Sequence, residues 1–402
     1  MSPDVQDRSY RALFAVPSIA RVLVGMQVAR IGQSMVNVAL VLFTLTVYGS
    51  VPLAGLVAVA VALPGILFSP IAGALLDRHG RMRLVILDYA LAAVSLALIA
   101  GLSLAGRLPA WLLLAIVGVS SLTAPLSTAG LRSLFPILVP RHLWERANAS
   151  DSVGYVLASV IGPPLAGVLV QVLDPAEALA VIAGVFVVAA VVLVGVPEPR
   201  LAAATTGRLW LDAWQGLVYT LRNRTLRGLW VAFGSLNVVG GVTAIVIPLI
   251  VLERLHGGPA LVGLIYAVQG LGGVVSSIFA GRIDTHGREH RMMVVPMLAA
   301  AVLVAGLLPD AGLPPVLLAM ALFGLISGPV DIAMFTLRQR RTDPAWMGRA
   351  FAVSMSFNYL GYPIGSGLAG VVANASLDGA IAIAILACIV AAVAAQVLIP
   401  RD

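Results

Sequence analysis

The chain has 402 residues, of which 60% are hydrophobic and only 11% charged, and its mean hydropathy is +1.01. Soluble domains are about 45 to 50% apolar, so this composition indicates an integral membrane protein with little chain left for a soluble domain. The net charge of +7 would suit a nucleic-acid-binding protein. However, the positive charges are confined to particular loops, as expected for a membrane protein. We therefore expect no nucleic-acid partner.

Twelve apolar runs of about 20 residues follow one another, each long enough for a helix to cross a hydrocarbon core of about 30 Å. Helices are expected because the runs lack the alternating pattern of a barrel. The sequence therefore predicts an all-α membrane protein with 12 transmembrane helices. The predicted spans are residues 19–48, 51–75, 84–106, 109–133, 149–172, 177–196, 228–252, 258–281, 292–309, 314–337, 350–373 and 376–399.

The basic residues predict the orientation of the chain in its membrane. If the amino terminus is cytoplasmic, all basic residues except Arg30, Arg107 and Arg254 fall in cytoplasmic segments or at their edges. This is the positive-inside pattern, so both termini are expected in the cytoplasm. The protein is expected in the inner (plasma) membrane of the cell. The lone cysteine, Cys388, lies in the last span and rules out an intramolecular disulfide.

The chain divides into two six-span halves that resemble each other. Residues 1–197 form the first predicted half, 198–227 a cytoplasmic linker with an amphipathic helix, and 228–402 the second half. A constant offset pairs Gly162 with Gly365, and a similar one pairs two DxHGR motifs. Parallel six-helix repeats are a transporter architecture, with a site near the midplane between the halves.

The loop between spans 2 and 3 reads GALLDRHGR, and its key residues are Gly73, Leu75, Asp77, Arg78, Gly80 and Arg81. A weaker copy between spans 8 and 9 keeps Asp284, Gly287 and Arg288. Glycine permits close helix approach and a tight turn, and a carboxylate can accept N–H groups at the positive end of a helix. The loop resembles the signature loop of the Major Facilitator Superfamily. That resemblance implies a latch that closes the cytoplasmic side, with Arg81 helping to hold it; a basic loop that only sets topology is the alternative.

Span 5 carries a second motif built on Gly162, Pro163 and Gly167. It resembles a glycine–proline pattern of exporters in the same superfamily, with Ala for Gly at two places. Small residues let helices pack closely and proline bends them, so the motif is predicted to shape an interface that opens and closes. Ordinary tight packing is the alternative. Together with the segment before it, the motif resembles the bacterial drug and siderophore efflux branch.

Polar side chains inside the spans predict the wall of a substrate cavity. Arg30 lies about 15 Å along the first span, where a charge costs at least about 2.5 to 3.5 kcal/mol. It would either contact an anionic group of the substrate or pair with a buried acid, and a purely structural salt bridge is also open. The predicted cavity residues are Gln27, Arg30, Gln33, Ser34 and Asn37 of span 1, Asn237 of span 7, Gln269 of span 8, and Asn358, Tyr359 and Tyr362 of span 11.

Three acids are candidates for proton coupling or for pairing at a gate, namely Asp88, Asp151 and Asp331. Asp151 and Asp331 could titrate during transport, because burial disfavours a charged carboxylate. They could equally stay paired with Arg132 and Arg338. The residues favour permanent pairing, so proton antiport is what the family resemblance implies.

The function predicted from these features is secondary transport by alternating access, with proton-coupled efflux of a small amphipathic or anionic compound. An importer of a sugar or other metabolite is the alternative on the same fold. A multi-pass enzyme or sensor is disfavoured, because the five histidines show no metal-ligand spacing and no phosphate-binding loop is present. No cofactor or metal is expected, and the resemblance implies a monomer in the bilayer.

Overall fold

The computed structural model describes residues 7, 9–198, 209–280, 286–308, 312–343 and 346–400. Within these residues the regular secondary structure is helical. A short helix α1 (Tyr10–Ala15), which the sequence did not predict, precedes the first long helix. The first half then comprises α2 (Ile19–Tyr48), α3 (Val51–His79), α4 (Arg81–Leu104), α5 (Ala110–Leu138), a 3₁₀ turn (Arg141–Leu143), α6 (Trp144–Val172) and α7 (Pro175–Leu193).

The second half follows a separate helix, α8 (Leu209–Arg222). Its elements are α9 (Arg224–Leu249), a π-helical turn (Ile250–Arg254), α10 (Pro259–Ala280), α11 (Glu289–Ala305), α12 (Leu313–Arg341), α13 (Met347–Tyr359), α14 (Gly361–Ala373) and α15 (Leu377–Leu398). Only Asn223 separates α8 from α9, so the linker helix leads directly into the second half.

Ten helices in the described part of the chain are long and apolar enough to span a membrane. The two predicted spans outside these ten are 292–309 and 350–373. The first is a helix of only 17 residues, α11. The second is divided between α13 and α14 at Leu360. Pro363 has no N–H to donate to the carbonyl of Tyr359, which accounts for the interruption. A total of twelve spans stays a prediction.

Local sequence signals set several helix ends. At the start of α7, Asp174 accepts a hydrogen bond from the N–H of Ala176 at 2.8 Å, and Glu177 accepts one from the N–H of Asp174 at 3.3 Å. Pro175 occupies the first helical position, where its missing N–H costs nothing. At the carboxyl end of α2, Gly49 has a φ of 58° and stops the helix. These caps satisfy backbone groups that lipid cannot.

Helices pack into two bundles that meet along two helix pairs. In the first half α2 packs on α6 and α7, and α4 packs on α5 and α7. In the second half α9 packs on α14 and α15, and α11 packs on α12 and α15. The halves meet where α3 contacts α14 and where α6 contacts α10. A site between the halves is therefore bounded by these two pairs.

Candidate functional site

The halves touch backbone to backbone at one end of the bundle, where α3 begins and α14 finishes. A Cβ added to Gly55 of α3 would lie 2.7 Å from the Cα of Gly370 in α14. A Cβ added to Gly263 of α10 would lie 2.6 Å from the carbonyl oxygen of Pro163 in α6. Only glycine permits such an approach. We call this end of the bundle the sealed end, and the opposite end, which carries the loop between α3 and α4, the open end.

The glycine–proline motif of α6 contributes to packing within one half and to packing between the halves. Gly162 faces α2 of its own half, where an added Cβ would lie 2.4 Å from the Cβ of Ser34. Gly167 faces α10 of the other half, where an added Cβ would lie 2.5 Å from the carbonyl oxygen of Pro259. Together with Pro163 it forms one side of the seal.

Toward the open end, polar side chains of both halves lie near one another. Tyr155 is 59% exposed and Tyr359 is 50% exposed, and the side chain of Arg132 is 54% exposed. Tyr359 lies within electrostatic range of Tyr155, Arg132 and Asp331, and Asp331 is itself exposed. Two phenol rings, a cation and an acid from the two halves therefore lie near one another, and we call the space that they face the cleft.

A charged cluster lies at the first-half wall of this cleft. Nη2 of Arg30 donates to Oδ1 of Asp151 at 2.5 Å, and Nη1 donates to the backbone carbonyl of Asp151 at 2.8 Å. Nε of Arg132 lies 3.3 Å from Oδ2 of the same carboxylate. The guanidinium of Arg30 also lies 5.8 Å from the ring centre of Tyr155. The cluster joins α2, α5 and α6. It also pairs the positive charge of Arg30, which would be costly in lipid without a partner.

The remaining predicted cavity residues differ widely in exposure. Gln33 and Asn37 are exposed; Gln27, Ser34, Asn237, Gln269 and Tyr362 are partly buried; and Asn358 is buried. Nδ2 of Asn237 donates to the Phe233 carbonyl of its own helix at 2.9 Å. Oε1 of Gln27 lies 3.4 Å from Nη1 of Arg30, so Gln27 borders the charged cluster.

Asn358 packs against a buried arginine in the second half. Arg338 is fully buried, and with the amide oriented to satisfy its neighbours, the oxygen of Asn358 accepts from Nη2 of Arg338 at 2.8 Å. Nη1 of Arg338 lies 2.5 Å from the sulfur of Met355. Sequence reasoning considered Arg338 only as a partner of Asp331, and it missed the contact with Asn358, which is on a different helix.

The three candidate acids occupy different environments. Asp88 is 5% exposed and lies beside the hydroxyl groups of Thr123 and Ser127. Asp151 holds the two arginines of the charged cluster. Asp331 stands seven residues before Arg338 on α12, about 10 Å along the helix axis. Among the described residues Asp331 makes no hydrogen bond or ion pair, so it is the unpaired acid of the cleft.

The signature loop turns at Gly80, whose φ of 89° requires glycine. Gly73 lies within α3, Arg78 is exposed, and the side chain of Asp77 lies outside the described part of the chain. Arg81 begins α4, and its Nε donates to the hydroxyl of Ser133 on α5 at 2.9 Å. The loop therefore connects α3, α4 and α5 at the open end.

Glu198, which sequence reasoning missed, caps α4. Its carboxylate accepts the backbone N–H groups of Arg81 and Met82, each at 2.9 Å, and lies 3.8 Å from Nη1 of Arg81. A carboxylate is favourable at the positive end of a helix. The only available sequence signal was a single acid shortly after the sixth span, in VPEPR, which gave no distance to the loop.

The second copy of the motif is partly described. Asp284 lies outside the described residues, Gly287 forms a turn with a φ of 71°, and Arg288 is exposed. The next residue, Glu289, is 3% exposed and pairs with Arg340 at the end of α12. Nε2 of His290 donates to the carbonyl of Ile399, after α15, at 2.8 Å.

The linker helix α8 packs on the second half. The rings of Tyr219 and Trp346 stack with centres 5.1 Å apart and planes inclined by 10°. The hydroxyl of Tyr219 accepts the backbone N–H of Asp343 at 3.0 Å. Trp214 is 55% exposed, which suits a helix lying at the membrane surface.

Two helical bundles that meet at glycines at one end and bring polar side chains of both halves together toward the other define a class of protein: a multi-pass membrane transporter for small molecules. The family model described as "Major Facilitator Superfamily" matches residues 22–256 and 229–402. The chain belongs to this superfamily, and it is therefore a secondary transporter and not an enzyme.

Known proteins similar to the chain place it near the bacterial efflux branch. It is 37% identical to the uncharacterized MFS-type transporter y4rN of Sinorhizobium fredii, with 98% of each chain covered. It is 28% identical to the enterobactin exporter EntS of Citrobacter koseri over 77% of this chain and 76% of that one. The crystal structure of the nucleoside transporter NupG has the same fold, with a TM-score of 0.75, 10% identity and coverage of 95% of this chain and 98% of that one.

Proposed function

We propose that the protein exports a small amphipathic or anionic molecule across the bacterial inner membrane by alternating access, in exchange for protons. The observation that carries this proposal is the cleft, which is closed by glycines at one end and lined by two tyrosines, an arginine and an acid toward the other. With both termini in the cytoplasm, as the arginine distribution predicts, the cleft is open to the cytoplasm. The similarity to the enterobactin exporter EntS of Citrobacter koseri supports the direction.

The side chains of the cleft suggest the substrate chemistry. The exposed rings of Tyr155 and Tyr359 offer flat apolar surfaces to either side of one space. Arg132 is half-exposed and can meet an anionic group, whereas Arg30 is 18% exposed and already bound twice to Asp151. We therefore place the substrate's anionic group at Arg132 and give Arg30 the role of holding Asp151.

Proton exchange is placed at Asp331. Protonation of Asp151 would release two arginines at once and break the contacts that join α2, α5 and α6. Asp331 shares the cleft with Tyr359 and makes no ion pair in the described residues, so its charge can change without breaking the first half.

The test is accumulation of anionic, neutral and cationic lipophilic compounds in efflux-deficient bacteria that express the protein, with and without a protonophore. Wild type should lower accumulation of an anionic or neutral compound, and the protonophore should abolish the effect. Asp331→Asn should abolish proton-driven export while exchange of labelled for unlabelled substrate in proteoliposomes continues. Arg132→Gln should weaken anion export several-fold and spare neutral compounds.

Arg107→Gln, which removes an exposed arginine outside the cleft, is the matched control and should export normally. Full proton-driven export by Asp331→Asn would refute the role of Asp331. Higher accumulation on expression of the wild type would show import of a metabolite, and the orientation or the direction proposed above would then be wrong.

A further inference from the structure

Two adjoining grooves run along the first turns of α11, on the outer surface of the second half. One encloses about 460 Å³ and is lined in part by His290, Arg291 and Gln396. The other encloses about 500 Å³ and is lined in part by Arg288 and Arg291. Arg291 and Val295 belong to both. Among the described long helices α11 packs mainly on α12 and α15, so this surface is peripheral and faces lipid.

The polar end of the grooves carries unpaired positive charge. Arg288 and Arg291 are exposed, and across the described part of the chain neither forms a hydrogen bond or an ion pair. The acid beside them, Glu289, is buried and pairs with Arg340. Gln396 of α15 is exposed and adds an amide that can donate to an oxygen acceptor. The grooves are thus suited to a ligand with negatively charged oxygens.

An apolar stripe continues from the charged end along α11. Arg291, Val295, Leu298 and Val302 follow the spacing i, i+4, i+7 and i+11, which is one face of a helix. Val295 is 55%, Leu298 46% and Val302 71% exposed. From Arg291 to Val302 the helix rises about 16 Å, close to one leaflet of a hydrocarbon core about 30 Å thick. A positive charge followed by an apolar surface as long as one leaflet is thick is complementary to a phospholipid, which has a negatively charged headgroup and an apolar acyl chain.

We propose that these grooves bind an anionic phospholipid, with its phosphate between Arg288 and Arg291 and one acyl chain along Val295, Leu298 and Val302. Basic pockets between membrane helices bind anionic headgroups of this kind. Because the two grooves share Arg291, a lipid with two phosphates, such as cardiolipin, should bind more tightly than phosphatidylglycerol. The site is separate from the cleft, so it does not depend on the transported substrate.

The experiment is native mass spectrometry of the full chain in detergent, titrated with cardiolipin, phosphatidylglycerol or phosphatidylethanolamine. Arg288→Ala with Arg291→Ala should lower the cardiolipin affinity about tenfold or more. The matched control removes two exposed arginines elsewhere, Arg83→Ala with Arg107→Ala, and should change it less than twofold. An equal loss in both double variants would reveal diffuse attraction to surface charge and overturn the proposal.

A second variant tests the groove itself without changing the charge. Val295→Trp should fill the space common to both grooves and also lower cardiolipin affinity, while its melting temperature without lipid stays at the wild-type value. Unchanged affinity in this folded variant would overturn the placement of the acyl chain. Inorganic phosphate at the same phosphate concentration should not raise the melting temperature; if it does so as well as cardiolipin, the site binds free anions and the lipid proposal fails.

Discussion

In each half the first turn of the third long helix, α4 in the first half and α11 in the second, is bonded to neighbouring segments. The residues that form these bonds differ between the halves. In the first half, α4 is joined to the segment after α7 by Glu198 and to α5 by the bond from Arg81 to Ser133. In the second half, α11 is joined to the residue after α15 by His290 and to α12 by the Glu289–Arg340 pair. The repeat therefore preserves which helices are connected and not the residues that connect them.

This difference has a mechanical consequence. The acid that caps α4, Glu198, is the first residue of the predicted linker, so a displacement of this residue would act on the signature loop directly. The contacts of α11 made by His290 and Glu289 are with residues of the second half and not with the linker.

The largest effect is expected from Arg340→Ala. Glu289 is 3% exposed, and without Arg340 its buried charge is unpaired. This should cost about 3 kcal/mol of stability, the low end of the range for buried pairs, because Arg340 is 40% exposed. Thermal unfolding in detergent measures this. Adding Glu289→Gln should restore most of the loss, and equal melting of the single and double variants would contradict a buried ion pair.

A smaller effect, about 1 to 2 kcal/mol, is expected from Glu198→Gln, because the cap of α4 loses its charge. Hydrogen exchange of the Arg81 and Met82 amides should accelerate. Glu177→Gln is the matched control, since an amide can still complete the capping box of α7. If the amides of α4 exchange as in the wild type, the carboxylate does not hold that helix.

The smallest effect is expected from His290→Ala, which removes one hydrogen bond to the Ile399 carbonyl and should cost about 1 kcal/mol or less. His290→Gln keeps a side-chain donor and should lose less. Melting curves of the two variants make the comparison. A loss as large as that of Arg340→Ala would show that the α11–α15 tie, and not the α11–α12 tie, is the stronger connection of the second half.

Much of the helical architecture could be predicted from sequence, because length and apolarity decide what crosses a bilayer. The observed α2 ends at Tyr48 as predicted. Two predicted spans differ from the observed helices. Pro363 interrupts the eleventh predicted span at Leu360, and α11 is shorter than a full span. The interruption at Leu360 comes from a proline that cannot donate a backbone hydrogen bond, which a count of apolar residues does not include.

The candidate site was less predictable, because its contacts join distant parts of the chain. The cost of burying Arg30 predicted that it needs a partner, but that partner, Asp151, is 121 residues away. The sequence supplied Arg132 as a possible partner of Asp151 and could not show that both arginines share one carboxylate. Glu198 was missed for the same reason, since a helix cap 117 residues away in sequence has no local pattern.

The glycine seal also bears on how quickly the transporter could work. Gly55, Gly263 and Gly370 have no rotatable side chains, so re-forming their contacts after each opening fixes no side-chain rotamers, whereas each long side chain ordered at such a junction costs about 1.5 to 2 kcal/mol. The junction can separate without exposing a long apolar side chain to water. A contact with so little side-chain entropy to lose suits an interface that must come apart and reassemble at every turnover.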